Sequence, residues 1–191
     1  DAKLAAFKQQ IEGIDINLMP EVKQAVEEGL RKLDGLSRIR DQANQNAISV
    51  AESSAFYTGT IALVMDVMST SAEYNTAPAI ARKLASYQAF TNAKENAGQE
   101  RALSVQAFVA NKIEPAQFRA IIGKISKQEA YLDSFADSAS EAERAALKTV
   151  NDSVAAKEVN RMRGIMAERS AQGGFDVNSA AWFNASTDRI N

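Results

Sequence analysis

Neither cysteine nor histidine occurs among the 191 residues. Without thiols there is no disulfide, no thiol nucleophile and no thiolate metal site. Without imidazole the Ser-His-Asp arrangement and the usual zinc sites fall away too. A di-iron helical bundle is excluded on the same ground, because it is built from Glu-x-x-His pairs. Missing cysteines suit a cytosolic or an extracytoplasmic compartment equally, so they do not decide location. Proline is held to 3 residues and glycine to 9, leaving long alanine-rich stretches of good helix formers without a breaker. No stretch reaches the ~18 apolar residues of a membrane span, and nothing from Asp1 onward reads as a signal peptide. On this reading any membrane segments of a receptor lie outside the sequence.

What remains has the make-up of a globular protein, 46% hydrophobic and 24% charged, long enough to bury ~70% of its unfolded surface without staples. The formal net charge is −2, and acids alternate with bases along the chain. That pattern describes a solvated helix surface and argues against nucleic acid as a partner, which demands a basic face.

The spacing predicts a helix over 20–42, opened by Pro20 and carrying a seam of Val22, Val26, Gly29, Leu33 and Leu36 at alternating steps of four and three,. Arg40 is the next position on that seam. The polar stretch Asp41 to Asn46 ends the helix. Ser49 and Glu52 form a capping box for a second helix through Tyr57, Ile61, Val64 and Met68, and Ser69 to Thr76 read as a connection,. Thr76 and Pro78 open the longest uninterrupted segment, to about Asn111, ~50 Å long at helical rise. Glu114-Pro115 launches a helix with Phe118, Ile122, Ile125, Tyr131, Leu132 and Phe135. A second capping box, Ser140 and Glu143, starts a helix through Leu147, Val150, Val154, Met162 and Ile165, ended by Gly173-Gly174,. A short helical tail from Asn178 holds Trp182, Phe183 and Ile190. No strand-like alternation is visible.

The expected fold is therefore all-α, a bundle of long antiparallel helices. It is read as one domain over 1–191, with a shorter-helix portion over 1–76 and a long-helix portion over 77–191. Two stacked four-helix bundles sharing long helices are a refinement of that reading. The methionines Met65, Met68, Met162 and Met166 read as core fillers, and Trp182 with Phe183 as a hydrophobic plug.

No catalytic constellation emerges. Glu95 and Glu100 lie ~140° apart around a helix and do not converge. Gly173-Gly174 lacks the helix, Lys and Ser/Thr of a phosphate-binding loop. The segment Ala93 to Ala102 is different. Arg101 falls on the face traced by Tyr87, Phe90, Ala97, Val105 and Phe108, beside the small residues Ala93, Ala97 and Gly98, which leave room for a partner backbone or a small ligand. A guanidinium in that setting offers a planar fork of N–H donors to a carboxylate or an oxyanion. The plainer alternative stands beside it: a seam arginine most often snorkels to the surface or pairs with a neighbouring helix's Glu or Asp. The same choice applies to Arg40 and Arg163.

The block Lys94-Glu95-x-x-Gly98-x-Glu100-Arg101-Ala102, followed by Phe108, Phe118, Gln128, Tyr131 and Phe135, resembles the nitrate- and nitrite-sensing (NIT) family of bacterial sensors. So do Met162-Arg163 and the tail Trp182-Phe183-x-x-x-Thr187-x-Arg189-Ile190. Arg40 and Tyr57-Thr58 also fall where that pattern puts them, and the likeness runs from about Leu33 onward. It implies an all-helical sensor, not an enzyme, needing no cofactor or metal. Family members serve chemotaxis receptors, sensor kinases, cyclic-dinucleotide enzymes and a nitrate-responsive antiterminator. By the same resemblance, arginines on core-facing helices hold a small anion. Arg101 is the best match for that role, then Arg163, then Arg40, with Gly98 giving access. The family's usual opening helix, with its own Glu-Arg-Gly element, has no counterpart ahead of Lys3 to Gln10.

The expected role is the periplasmic ligand-sensing domain of a chemoreceptor in the inner membrane. It binds nitrate, nitrite or a similar small anion and works as a homodimer joined to transmembrane and cytoplasmic signalling regions of its own polypeptide. Two alternatives stay open: a ligand-free helical dimerisation module, in which Arg101 is paired to a carboxylate, and the cytoplasmic sensor of an antiterminator.

Overall fold

The start signals in the sequence become hydrogen-bonded caps. Ser49 Oγ accepts from the Glu52 N–H at 3.2 Å while the Glu52 carboxylate accepts from the Ser49 N–H at 3.1 Å. Ser140 and Glu143 repeat the arrangement at 3.3 and 2.7 Å. Each box satisfies N–H groups that a helix start otherwise leaves without partners.

The computed structural model describes residues 2–15, 19–74 and 77–191, and every regular element among them is an α-helix. In chain order these are α1 (Ala2–Glu12), α2 (Pro20–Asp34), α3 (Leu36–Asn44), α4 (Val50–Glu73), α5 (Pro78–Ala110), α6 (Pro115–Ser138), α7 (Glu141–Asn151), α8 (Val154–Glu168) and α9 (Ser179–Ile190). The protein is an all-helical bundle. The chain divides into two compact units, Asp1–Leu84 and Ala85–Asn191, with the boundary inside α5.

In the first unit α2 packs along α4. The single helix expected over 20–42 is broken at Gly35, whose N–H turns back to the Lys32 carbonyl at 3.1 Å. A Cβ there would lie 3.3 Å from the Phe56 ring, so glycine lets α4 press its aromatic side chain against the joint. The break also shifts the seam: Val22, Val26 and Gly29 are buried as expected, but the following buried position is Ile39, and Arg40 is exposed. The connection expected from Ser69 is helical through Glu73, with Ser71 Oγ donating to the Val67 carbonyl at 2.6 Å. The expected start at Thr76 lies outside the described residues.

In the second unit the directions follow from paired contacts. Gln117 reaches the Leu103 carbonyl and Gln128 reaches Glu100, while the rings of Phe90 and Phe135 lie 5.3 Å apart. Numbers rise on α6 as they fall on α5, so the two are antiparallel. Arg163 meets Glu100 and Gly174 meets Asn111, so α8 runs parallel to α5. Trp182 packs on Phe108 and Thr187 meets Arg101, which makes α9 antiparallel to α5. The result is an up-down-up-down bundle whose third limb is α7 followed by α8.

That third limb, expected as one helix, is interrupted at Asp152 and Ser153. Lys148 Nζ holds Asp152 at 2.5 Å and Ser153 Oγ caps the next helix by accepting from the Ala156 N–H at 3.1 Å. Local side-chain bonding of this kind offers the backbone an alternative to continuing the helix. The limb also stops at Glu168, ahead of the expected glycine terminator. Gly173 and Gly174 serve another purpose. Both have positive φ, the Gly174 N–H bonds to the Asn111 carbonyl at 2.9 Å, and a Cβ on Gly173 would lie 2.9 Å from the same oxygen. They dock the turn between α8 and α9 onto the end of α5.

Two apolar clusters fill the unit. One gathers Phe108, Ile121, Met162, Met166, Phe175 and Trp182, and the other Ala89, Phe135 and Ala139 with Phe90 and Leu147 packed on it. Met162 and Met166 are core residues as expected, whereas Met65 and Met68 are half-buried. Along α5, Glu100 lies between the two clusters.

Candidate functional site

The buried seam of α5 runs through Ser86, Ala89, Ala93, Ala97, Glu100, Ser104 and Ala107, at steps of three and four. Its members are small except for Glu100, and Asn96 and Phe108 are buried beside it. Of the set that points to Arg101 in the sequence, Ala97 and Phe108 are buried, whereas Tyr87 is 60% exposed and Phe90, Arg101 and Val105 are half-buried. A single carboxylate therefore stands in the middle of a run of small side chains.

Glu100 is 2% exposed. A carboxylate so placed requires both counter-charge and hydrogen bonds. Arg163 on α8 supplies the fork, with Nε 2.7 Å from Oε1 and Nη2 2.6 Å from Oε2. Gln128 on α6, itself buried, donates from Nε2 to Glu100 Oε2 at 2.7 Å. Its Oε1 accepts from Arg163 Nη2 and from Arg189 Nη1, each at 3.2 Å. Two helices thus reach the carboxylate of a third, and a fourth joins the layer through Gln128.

The charges in this layer do not balance. Two guanidinium groups, Arg163 and Arg189, face one carboxylate, and among the described residues no carboxylate lies within ion-pair distance of Arg189. Burial, and next repulsion from Arg163, hold the Arg189 guanidinium below the ordinary arginine range, with Glu100 opposing them. Arginine does not give up its proton in a protein, so the layer carries a net positive charge. Nearby, the hydroxyls of Ser104 and Ser186 are buried with no hydrogen-bond partner among the described residues.

A half-open cavity of about 410 Å³ adjoins the layer, with Gln128, Arg189 and Lys94 in its wall. The rest of its lining is largely apolar, contributed by side chains such as Phe90, Leu132, Phe135 and Leu147.

The residues singled out from the sequence fare differently. Arg163 enters the layer through its pair with Glu100. Arg101 stays on the flank of α5, where Nη1 donates to Thr187 Oγ1 at 2.7 Å and the guanidinium lies 4.6 Å from the centre of the Phe183 ring. Gly98 is half-buried, and a Cβ on it would meet nothing within 4 Å. Arg40 belongs to the first unit and is exposed. Trp182 fills the core at 1% exposure, its indole N–H donating to the Arg101 carbonyl at 3.0 Å, but Phe183 is 46% exposed and serves as the platform under Arg101. Sequence reasoning missed Glu100, Gln128 and Arg189 as one group. The available signal was the three-four spacing of small residues through Glu100.

No curated protein and no solved structure matches the chain. The family model described as nitrate and nitrite sensing matches residues 1–191. The chain belongs to the nitrate- and nitrite-sensing domain family, and its buried arginine layer lies within the sequence that defines that membership.

Proposed function

We propose that the second unit binds nitrate, nitrite or a similar small monoanion at the Glu100 layer, with Arg189 as the principal donor and Arg163, largely committed to Glu100, beside it. One observation carries this reading: Arg163 takes both oxygens of the one carboxylate, and Arg189, joined to the same layer through Gln128, has no carboxylate of its own among the described residues in a largely buried setting. An unmatched charge removed from water is costly, and an anion offsets it. Arg189 is held by one amide oxygen, which leaves further N–H donors for the in-plane oxygens of an oxyanion. Arg101, on the same helices but bonded to Thr187, serves as an outer cation, and Gly98 leaves the adjacent face of α5 open. Arg40 has no part in this reading.

The domain, on this proposal, is the extracytoplasmic input of a bacterial chemoreceptor or related transducer and works as a homodimer. Polypeptide following α9 would carry an anion-induced shift of that helix to a membrane segment and a signalling output. The ligand-free dimerisation alternative calls for Arg101 in a carboxylate pair, and the partner is the Thr187 hydroxyl. The antiterminator alternative shares the same anion site and differs in the attached output.

Titration calorimetry with sodium nitrate and sodium nitrite, against sodium chloride, tests the proposal. Binding by the oxyanions that falls about 10-fold or more in Arg189→Gln, the worth of a charged hydrogen bond, supports it. No binding at millimolar concentration sinks it.

A further inference from the structure

The cavity beside Arg189 is far larger than a four-atom oxyanion needs. Its volume of about 410 Å³ falls within the ~300–1,000 Å³ typical of small-molecule sites. Nitrate seated at Arg189 would leave room for on the order of ten waters, standing against Phe90, Leu132, Phe135, Leu147 and Val150. Water in such a space lacks polar partners and is readily displaced by apolar groups.

The charged groups in the wall are unevenly matched. Lys94 and Arg189 are cationic, and Glu143 is the acidic side chain. The Glu143 carboxylate already accepts from the Ser140 N–H and the Ser140 hydroxyl, each at 2.7 Å. Gln128, also in the wall, is committed to Glu100 and to the two arginines. The chamber therefore combines an apolar body with a positive end, which is the complement of an amphipathic anion.

We infer that this chamber binds monocarboxylates with an apolar tail of several carbons. The carboxylate sits on Arg189 and the tail lies between Phe90, Leu132 and Leu147. The inference rests on the reading of Arg189 as the anion-facing cation. It goes beyond that reading by assigning the apolar part of the cavity to the ligand itself.

Calorimetry with sodium acetate, butanoate, hexanoate and octanoate, with hexan-1-ol as neutral control and nitrate in parallel, decides the matter. The dissociation constant should fall about fourfold for each methylene added until the chamber is full. Arg189→Gln should weaken every acid about 10-fold or more, and the alcohol should bind weaker than hexanoate by a similar factor. Val150 is 41% exposed at the rim, so Val150→Trp can fill the chamber without entering the core. It should flatten the chain-length dependence while the thermal melt stays cooperative. Nitrate binding with no binding of any acid overturns this inference and leaves the anion-site reading standing. A series independent of chain length, or a dependence that survives in Val150→Trp, also overturns it. Failure of nitrate and all four acids overturns both readings. A concentration-dependent dimer that Val150→Trp dissociates would assign the chamber to a second copy of the chain and overturn the ligand proposal.

Discussion

Arg163 grips both carboxylate oxygens of Glu100 across the space between α8 and α5, at 2.7 and 2.6 Å, inside an otherwise small-residue seam. Replacing Glu100 removes the sole carboxylate from a layer holding two guanidinium groups. Glu100→Ala is expected to destabilise the second unit by about 3–5 kcal/mol, the cost of breaking a buried pair on one side. The double variant Glu100→Ala with Arg163→Met should recover part of that loss, because it also removes an orphaned charge. Urea unfolding of the two variants measures the difference, and equal destabilisation would show that the pair is not what the layer depends on.

Trp182 is the chain's single tryptophan and reports on the core next to Arg101. Trp182→Phe removes a buried ring edge and leaves the Arg101 carbonyl without its indole donor. A loss of about 1–3 kcal/mol is expected from the hydrogen bond alone, with packing loss added. In the unmodified protein, tryptophan emission should shift to longer wavelength in the same urea transition that abolishes the helical signal.

Hydrogen bonds from the Ser49 hydroxyl, and next from its backbone N–H, hold the Glu52 carboxyl below its ordinary range. The sign follows from linkage: a depressed carboxylate contributes stability above its unfolded pKa of about 4.3 and loses it as pH falls through the lower folded value. The start of α4 should accordingly fray in acid below about pH 4.3. In Ser49→Ala the Glu52 titration, followed by NMR, should move up toward the unfolded value. No upward movement would mean that the cap does not set it.

Gly173→Ala is expected to cost about 1–3 kcal/mol, because its backbone lies in a region strained for side chains and its Cβ would lie 2.9 Å from the Asn111 carbonyl oxygen. Gly174→Ala shares the positive φ but meets nothing within 4 Å, so its loss should be smaller. Thermal melts of the two variants separate contact from backbone strain, and equal losses would assign the whole effect to the backbone.

The helical architecture was legible because its signals are local. Two capping boxes, Pro115 after Glu114, and long runs without glycine or proline speak through neighbours three or four residues away. The joint at Gly35 was hidden because the Phe56 ring that packs on it arrives from another helix. Ser153 did carry a local cap signal, but Leu147, Val150 and Val154 keep an apolar spacing across the interruption and mask it. The site was only half legible. Its arginine-rich character and Arg163 could be read, but Tyr87 and Val105 drew the face toward Arg101, while the buried residues of α5 include Glu100 instead. Pairing of Glu100 with Arg163, 63 positions apart, depends on how α5 and α8 pack together, which no local spacing encodes.

The Glu100 layer also governs how the chain can change in length. Gln128 and Arg163 reach one carboxylate from two helices, so each must keep its angular phase. Deleting a single residue within α6 ahead of Gln128, or within α8 ahead of Arg163, turns that side chain by about 100° and strands the acid in an apolar setting. Insertions and deletions are therefore barred from the helical segments leading to the layer, and a chain that grows or shrinks must do so at the joints between them.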